Sequence, residues 1–196
     1  MEVSIGPVWI GRASFGSRDA DETTGSGGTF RLFTTSSELA AASGVEGRVA
    51  VRLTRAFEAE ARASYSQPEL RITAASDAES SNAPKTATGV IRQFIVGGAV
   101  VWYPSLPRLG PRARLFVSAG AGVMRQLESG GTVVETGSAY DVGGGLKYAL
   151  KSRDTGGLKG IGARMDAGAK VRARGVTLDD RAHASPFLAA SIYLRF

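Results

Sequence analysis

The 196-residue chain contains no cysteine and a single histidine, His183. Without cysteine the chain has neither a disulfide framework nor a thiolate metal site. One histidine is also too few for the usual zinc ligand sets, which combine several histidine, cysteine and carboxylate ligands. The sequence therefore predicts no metal site and no cofactor.

Long hydrophobic runs and blocks of basic residues are also missing. The most apolar stretch, FIVGGAVVWY at 94–103, is about half the ~18 residues of a membrane-spanning helix. The net charge is +6, but lysine and arginine are spread along the chain, so we predict no nucleic-acid partner. The start, MEVSIGPVWIGR, lacks the basic and apolar regions of a signal peptide. If the protein is exported, we expect that its signal has been removed and that Met1 is a cloning or numbering start.

What the sequence has in abundance is alternation of apolar and polar residues with a period of two. The stretch GIGARMDAGAKVRA at 160–173 puts Ile161, Met165 and Val171 on one face, whereas Arg164 and Asp166 lie on the other. A helix would mix these two sets, and a strand separates them. Alternation of this kind recurs along most of the chain and predicts an all-β fold.

Eight strands are predicted, and most are longer than the ~5–6 residues usual in soluble sheets. The strand predictions are 2–16, 44–54, 56–66, 89–103, 112–127, 138–150, 158–173 and 185–196. Their connections alternate between short turns, at 54–56, 104–112 and 151–157, and long segments, at 16–43, 67–88, 126–137 and 175–184. Outer-membrane barrels have this asymmetry, with tight turns inside and long loops outside.

The faces of two strands are less regular. In the first strand we expect Val3, Ile5, Trp9, Ala13 and Phe15 on the apolar face. Strand 89–103 is apolar on both sides, and its pattern assigns neither face.

The polar faces of the strands carry charges of both signs interleaved with glycine. The expected lumen charge network consists of Glu46, Arg48, Arg52, Glu58, Glu60, Arg62, Asp141, Lys147, Arg164, Asp166, Lys170 and Arg172. Glycine weakens an ordinary solvated strand, but it suits the narrow interior of an eight-stranded barrel. We interpret the network as an ion-paired plug, because buried charges must be paired. The alternative is a narrow pore that weakly favours anions.

Aromatic residues recur on the apolar faces at a spacing of eight. Phe57 and Tyr65, like Tyr140 and Tyr148, would lie about 20 Å apart along the axis of a tilted barrel. This approaches the ~25 Å between the aromatic girdles of membrane barrels. We assign these four residues and Phe196 to an aromatic girdle.

The chain ends in SPFLAASIYLRF, which alternates to its last residue. A last strand that alternates and ends in phenylalanine resembles the signal by which bacterial outer-membrane barrels are recognised and inserted. Together with FVSAGAGVMRQLE, GSAYDVGGGLKYAL and GIGARMDAGAKVRA, it makes the chain similar to the small OmpA-, OmpX- and OmpW-like barrels. The resemblance implies an eight-stranded antiparallel up-and-down transmembrane β-barrel, with Ile192, Leu194 and Phe196 as insertion-signal positions.

The functional expectation is a single domain over 1–196 in the cell outer membrane, with a structural or adhesion-type role through long outer loops. Its expected partners are outer-membrane lipid and lipopolysaccharide, the barrel-insertion machinery and an unidentified surface ligand. His183 lies near Asp179, Asp180 and Ser185, but nothing fixes a catalytic geometry, and we predict no enzymatic activity. Two alternatives stay open: a pore or transporter of small or hydrophobic compounds, and a soluble lipocalin-like carrier whose apolar rows face inward.

Overall fold

The computed structural model describes residues 1–75, 84–105, 110, 112–128, 134–152, 157–174 and 181–196. These residues form eleven β-strands: β1 Glu2–Ile10, β2 Ala13–Thr23, β3 Thr29–Leu39, β4 Ala42–Arg52, β5 Phe57–Ser66, β6 Glu69–Ala75, β7 Lys85–Trp102, β8 Ala113–Glu128, β9 Val134–Ser152, β10 Gly160–Arg174 and β11 His183–Arg195. In this part of the chain there is no helix long and apolar enough to cross a membrane.

The strands close into an eight-stranded antiparallel barrel. Three pairs of consecutive strands, β1 with β2, β3 with β4 and β5 with β6, each form one long barrel strand interrupted by two residues. The first strand closes the barrel against the last, because β1 pairs with β11 from Glu2 opposite Arg195 to Ile10 opposite Phe187. Together with the pairing of β7 and β8, this closes a ring of eight paired strands, as a bilayer requires, whereas β2 pairs only with β3 in the described residues. The predicted eight-stranded barrel is confirmed.

Most described residues of two segments expected to be loops lie in strands, so the loop predictions for 16–43 and 67–88 were wrong there; residues 76–83 of the second segment lie outside the described residues. Strands β2, β3 and β6 and the first part of β7 form a four-stranded sheet that continues past the chain interruptions. The segments are rich in threonine and serine and lack an apolar row, which hid their β-propensity. The remaining predicted connections lie partly outside the described residues, at 106–109, 111, 129–133, 153–156 and 175–180.

We call the end of the barrel that holds Met1 and Phe196 the terminal end, and the opposite end, with the β2–β3 turn at 24–28, the hairpin end. The backbone nitrogen of Phe196 donates a hydrogen bond of 2.8 Å to the carbonyl oxygen of Met1, which brings the two chain ends together.

The barrel is apolar outside and polar inside. Ile5, Val96 and Met165 are 63–65% exposed on the outer wall, whereas Arg48, Glu60 and Arg164 are 1–5% exposed inside. The soluble-carrier alternative required the reverse orientation. The outward apolar surface therefore argues against a lipocalin-like barrel and matches the surface of a membrane barrel.

The predicted strand 2–16 changes partway along which of its residues face inward, and this corrects the assignment of two residues. Val3, Ile5 and Trp9 face outward as expected, but Ala13 and Phe15 are each 1% exposed inside the barrel. The cause is the interruption at 11–12, where the nitrogen of Gly11 donates 2.8 Å to the carbonyl oxygen of Pro186. Ile10 and Gly11 are buried in succession, so the alternation slips by one residue and the inward positions change from even to odd numbers.

The structure also shows which residues of strand β7 face the lumen and which face outward. Gln93, Val101 and Tyr103 are at most 5% exposed and face the lumen, whereas Phe94 and Trp102 are more than 40% exposed outside. The apolar residues on both sides of this strand therefore have different roles. The inner ones pack in the lumen, and the outer ones extend the apolar outer wall.

Facing glycines allow β7 and β8 to approach closely. Gly97 lies opposite Gly122, and a Cβ atom added at Gly97 would come within 2.6 Å of the Gly122 Cα. Gly89 lies on the same strand, and a Cβ added there would meet no atom within 4 Å.

We therefore expect Gly97→Ala to destabilise the barrel by about 1–3 kcal/mol through overpacking. Gly89→Ala, the matched control on the same strand, should leave stability unchanged. The measurement is urea unfolding in detergent micelles, followed by the heat-sensitive gel mobility of the folded form. Equal midpoints for the two variants would contradict the close backbone approach.

Candidate functional site in the barrel lumen

The centre of the lumen is held by ion pairs around Arg164. Arg164 projects from β10 and is 1% exposed. Its Nη2 lies 2.9 Å from Oδ1 of Asp166, and its Nη1 forms an ion pair with Glu60 on β5. Arg48 on β4 reaches the same Asp166 carboxylate at 3.0 Å and also pairs with Glu46. Three strands, β4, β5 and β10, are thus connected through their side chains.

A further arginine extends these pairs toward β9. Arg62 Nη2 lies 3.0 Å from Glu60 Oε2, and Arg62 Nη1 lies 2.6 Å from Asp141 Oδ2. The Phe116 ring lies under the Arg164 guanidinium, with 4.4 Å between Cζ and the ring centre. We call the connected residues Glu46, Arg48, Glu60, Arg62, Asp141, Arg164 and Asp166 the central network.

A second group of buried polar residues lies nearer the terminal end. Lys147 Nζ donates to Glu2 at 2.7 Å and to Glu58 at 2.8 Å. The Tyr103 hydroxyl donates to Glu58 at 2.6 Å. Lys147 Nζ also lies 5.6 Å from the Tyr103 ring centre and 5.8 Å from that of Tyr193. Both carboxylates of this terminal group are therefore engaged by donors inside the barrel.

The central network separates two cavities. A cavity of about 190 Å³ at the terminal end is lined by Ala50 and Glu58, among others. A smaller one, about 20 Å³, is lined by Glu46 and Arg62, which lie four residues further along β4 and β5 toward the hairpin end. Arg48 and Glu60 lie between these positions on β4 and β5. The small cavity has room for about one water molecule.

Lys170 and Arg172 continue the lumen face of β10 toward the hairpin end, and they differ in their surroundings. Lys170 is 5% exposed and lines the small cavity together with Glu46 and Asp141. Arg172 is 2% exposed, and its Nε and Nη1 atoms have no hydrogen-bond partner among the described residues. Burial of an unpaired charge is costly. Within the described part of the chain, Arg172 thus differs from the ion-paired Arg164.

The predicted charge residues lie on the lumen face, with one at its edge. Eleven of the twelve are buried or half-buried inside, and Arg52 is exposed at the terminal rim. The structure adds residues that the sequence did not single out: Glu2, Gln93, Tyr103, Gln126 and Tyr193. Gln126 donates to Gln93 at 3.1 Å. The continued alternation of β7 and β8 could have found both glutamines, but strand β7 had no assignable face.

The predicted girdle residues lie on the outer wall. Phe57, Tyr140, Tyr148 and Phe196 are 41–49% exposed. Tyr65 is half-buried, because its ring stacks on Phe94 with 4.8 Å between the centres. Ile192 and Leu194 also face outward, opposite Ile5 and Val3 of β1. The girdle and insertion-signal roles of these residues stay predictions.

His183 starts β11 and faces the lumen rather than an open loop. Its ring meets the Phe15 ring edge-on, with 5.1 Å between the centres. Ser185 is 1% exposed two positions further on, and Asp179 and Asp180 lie outside the described residues. In the described ranges, no group of three or more histidine, cysteine or carboxylate residues is arranged to hold a metal ion.

A closed barrel with an apolar outer wall and a charged, ion-paired interior defines the class of small transmembrane β-barrels. No family model matches the chain, and no curated protein gives a significant sequence match.

Solved structures provide the comparison. The chain is similar to the outer membrane protein OprG from Pseudomonas aeruginosa, with a TM-score of 0.53 and 10% identity over 100% of this chain and 94% of that one. Neisserial surface protein A gives a TM-score of 0.45 and 11% identity over 100% and 97% of the two chains. Ail, the attachment invasion locus protein of Yersinia pestis, gives 0.36 and 15% over 98% and 97%. The likeness to OprG establishes the fold, which is that of a small eight-stranded outer-membrane barrel.

Two arginines on one lumen face provide a matched stability test. Arg164→Met removes one of the two cationic partners of each of two buried carboxylates, and we expect a loss of up to about 3–5 kcal/mol. Arg172→Met removes a buried cation that has no carboxylate partner among the described residues, and we expect unchanged or increased stability, by up to about 4 kcal/mol. Urea unfolding in micelles measures both variants. A large loss for Arg172→Met would show that this guanidinium is compensated.

Proposed function

We propose that the protein is an integral outer-membrane barrel without enzymatic activity. In this proposal its lumen is plugged by the central network, and its role is structural or surface-binding through the sheet at the hairpin end. Its immediate partners are outer-membrane lipid and lipopolysaccharide outside the barrel and the insertion machinery during assembly. The observation that carries the proposal is the ion-paired cross-section of the lumen.

The outer wall supports the membrane location. Large apolar side chains are exposed on both ends of the same strands, as with Val45 and Val51 on β4 and Leu188 and Ile192 on β11. In water such a continuous surface would drive association. In a bilayer this apolar surface contacts the lipid chains, and the closed sheet satisfies the backbone hydrogen bonds.

The central network supports the plug. Its side chains are paired across the barrel between β4, β5, β9 and β10, and Glu60 and Arg164 have side chains at most 1% exposed. Opening a path for ions would separate charges that are now in contact, which is costly at this burial. An eight-stranded barrel has little interior beyond what its side chains fill.

The hairpin sheet supports a surface-binding role. Phe30, Phe33 and Ile72 are 37–43% exposed on strands that continue past the barrel. Between them lie charged pairs, such as Arg31 Nη2 with Asp19 Oδ2 at 2.8 Å. Exposed aromatic side chains mixed with charge are typical of protein-binding surfaces. Rigid strands also present them at a lower entropic cost than a mobile loop.

Conductance tests the plug. Wild-type protein in planar bilayers should show no steady single-channel current, because ion pairs close the lumen. Arg164→Ala should produce measurable current by opening the network. Met165→Ala, on the outward face of the same strand, is the matched control and should stay closed.

A second network variant, Arg48→Ala, covers the possibility that Arg164→Ala does not fold. Heat-sensitive gel mobility establishes folding for every variant before its current is recorded. Steady current through the wild-type protein would refute the plug and favour the pore.

Adherence tests the hairpin sheet. Cells that display the barrel should adhere to an epithelial cell layer, and the double variant Phe30→Ser with Phe33→Ser should adhere at the level of cells without the protein. The exposed aromatic side chains are the expected contact. Leu188→Ser, on the outer wall of the barrel, is the control for surface display and expression. Undiminished adherence of the double variant at equal display would refute this surface.

One observation favours a second candidate, a transporter of hydrophobic compounds. Ala13, Phe15, Leu39 and Ile91 form a buried apolar cluster, with Leu70 packed against it, at the hairpin side of the lumen. Apolar solutes could be accommodated by such a lining if the cluster parted. This candidate requires passage of an apolar solute through protein reconstituted in vesicles, at a rate above that of empty vesicles.

A further inference from the structure

Four arginines converge on the cavity at the terminal end. Arg52, Arg112, Arg114 and Arg195 line this space of about 190 Å³, and all four are exposed to it or to the adjoining water. They come from β4, from β8 and the residue preceding it, and from β11. We call them the rim arginines.

The rim arginines continue the lumen faces of their strands, so they face the mouth of the barrel rather than lipid. Arg52 lies opposite Glu58, Arg195 opposite Glu2 and Arg114 opposite Lys147 in the strand registers. These three opposing residues are buried inside the barrel. Because residues directly opposite each other in a sheet share a face, the arginines project to the same side as the terminal group.

The acidic residues of the cavity are already engaged. Glu2 accepts from Lys147, and Glu58 accepts from both Lys147 and Tyr103. The cavity lining has five basic side chains, the rim arginines and Lys147, against these two carboxylates. Three positive charges are therefore uncompensated around one small space. In the described part of the chain, none of the rim arginines has a carboxylate within ion-pair distance.

One rim arginine is held in place by contacts that leave its charge available. The Arg114 guanidinium carbon lies 4.5 Å from the Tyr103 ring centre, and its Nη2 donates 3.4 Å to the carbonyl oxygen of Arg55. Stacking on an aromatic ring orients a guanidinium without neutralising it. Such an arginine is already positioned to bind an anion.

We propose that the terminal cavity is a binding site for a small anion with a phosphate or diphosphate group. Like charges collected around one cavity repel each other, and a bound multivalent anion relieves that repulsion. Phosphate groups accept several N–H donors at once from separate arginines. The cavity is smaller than the ~300–1,000 Å³ of pockets for drug-sized molecules, which points to a compact ligand. Because the arginines face the water-filled mouth, the ligand enters from solution.

The test is isothermal titration of the refolded protein with pyrophosphate, in micelles of an uncharged detergent at low ionic strength. We expect saturable binding to the wild-type protein. Arg52→Gln and Arg195→Gln should each weaken it by about ten-fold, because each removes a charge-assisted bidentate contact. Both residues are exposed, and heat-sensitive gel mobility establishes that the variants are folded.

The matched control is Arg92→Gln, which removes the same charge from an exposed outward-facing arginine of β7. This control should bind pyrophosphate as tightly as the wild type. Equal weakening in Arg92→Gln would overturn the site, because net charge alone would then explain the binding. Absence of saturable binding to the wild type would also overturn it.

Two further arms identify the source of the phosphate. Micelles doped with phosphatidylglycerol should not compete with pyrophosphate, because the rim arginines face the lumen mouth. Competition by the lipid that is lost in Arg52→Gln would overturn entry from solution and assign the site to a lipid headgroup. Tighter binding of citrate than of pyrophosphate would overturn the phosphate assignment.

Discussion

Pairing of charge inside a narrow, closed barrel is the constraint on which the rest of this structure depends. Eight strands leave an interior that side chains fill, so a charged residue there must find its partner among the other lumen side chains. Arg164 does so with Glu60 from β5 and with Asp166 from its own strand. These contacts fix the register of β10 relative to β5 in a way that the backbone ladder alone does not, since the two strands do not pair directly. The apolar residues are thereby directed to the outside.

The lumen is layered along its axis, and each layer has a different balance of charge. The central network is internally paired, the terminal cavity is rimmed by four arginines, and Arg172 lies on the hairpin side. The compensated centre favours a closed barrel. The two sides differ from a simple plug, because their arginines lack carboxylate partners among the described residues. The terminal side opens to a cavity of about 190 Å³. Plug and anion site are compatible, because they occupy different depths.

Interruptions of the long strands decide how the hairpin end is built. Two residues between β1 and β2, between β3 and β4 and between β5 and β6 separate the barrel from the sheet above it. At the first interruption the inward row changes from even to odd numbers, which brings Phe15 inside, where it packs with Leu39 and Ile91. The apolar cluster thus lies at the base of the sheet at the hairpin end, on β2, β3 and β7.

The sequence by itself determined the barrel class, the strand count and most of the lumen row. These follow from a period of two, which separates residues such as Arg164 and Met165 whatever their partners are. Tertiary structure alone decided which charges pair, because Arg164 and Glu60 are 104 positions apart. It also decided the faces of β7, whose apolar residues give no local contrast. The inward position of Phe15 depends on a one-residue slip of the alternation at Gly11, beside Pro186. The rim arginines are scattered through the sequence, and only closure of the barrel brings them to one cavity.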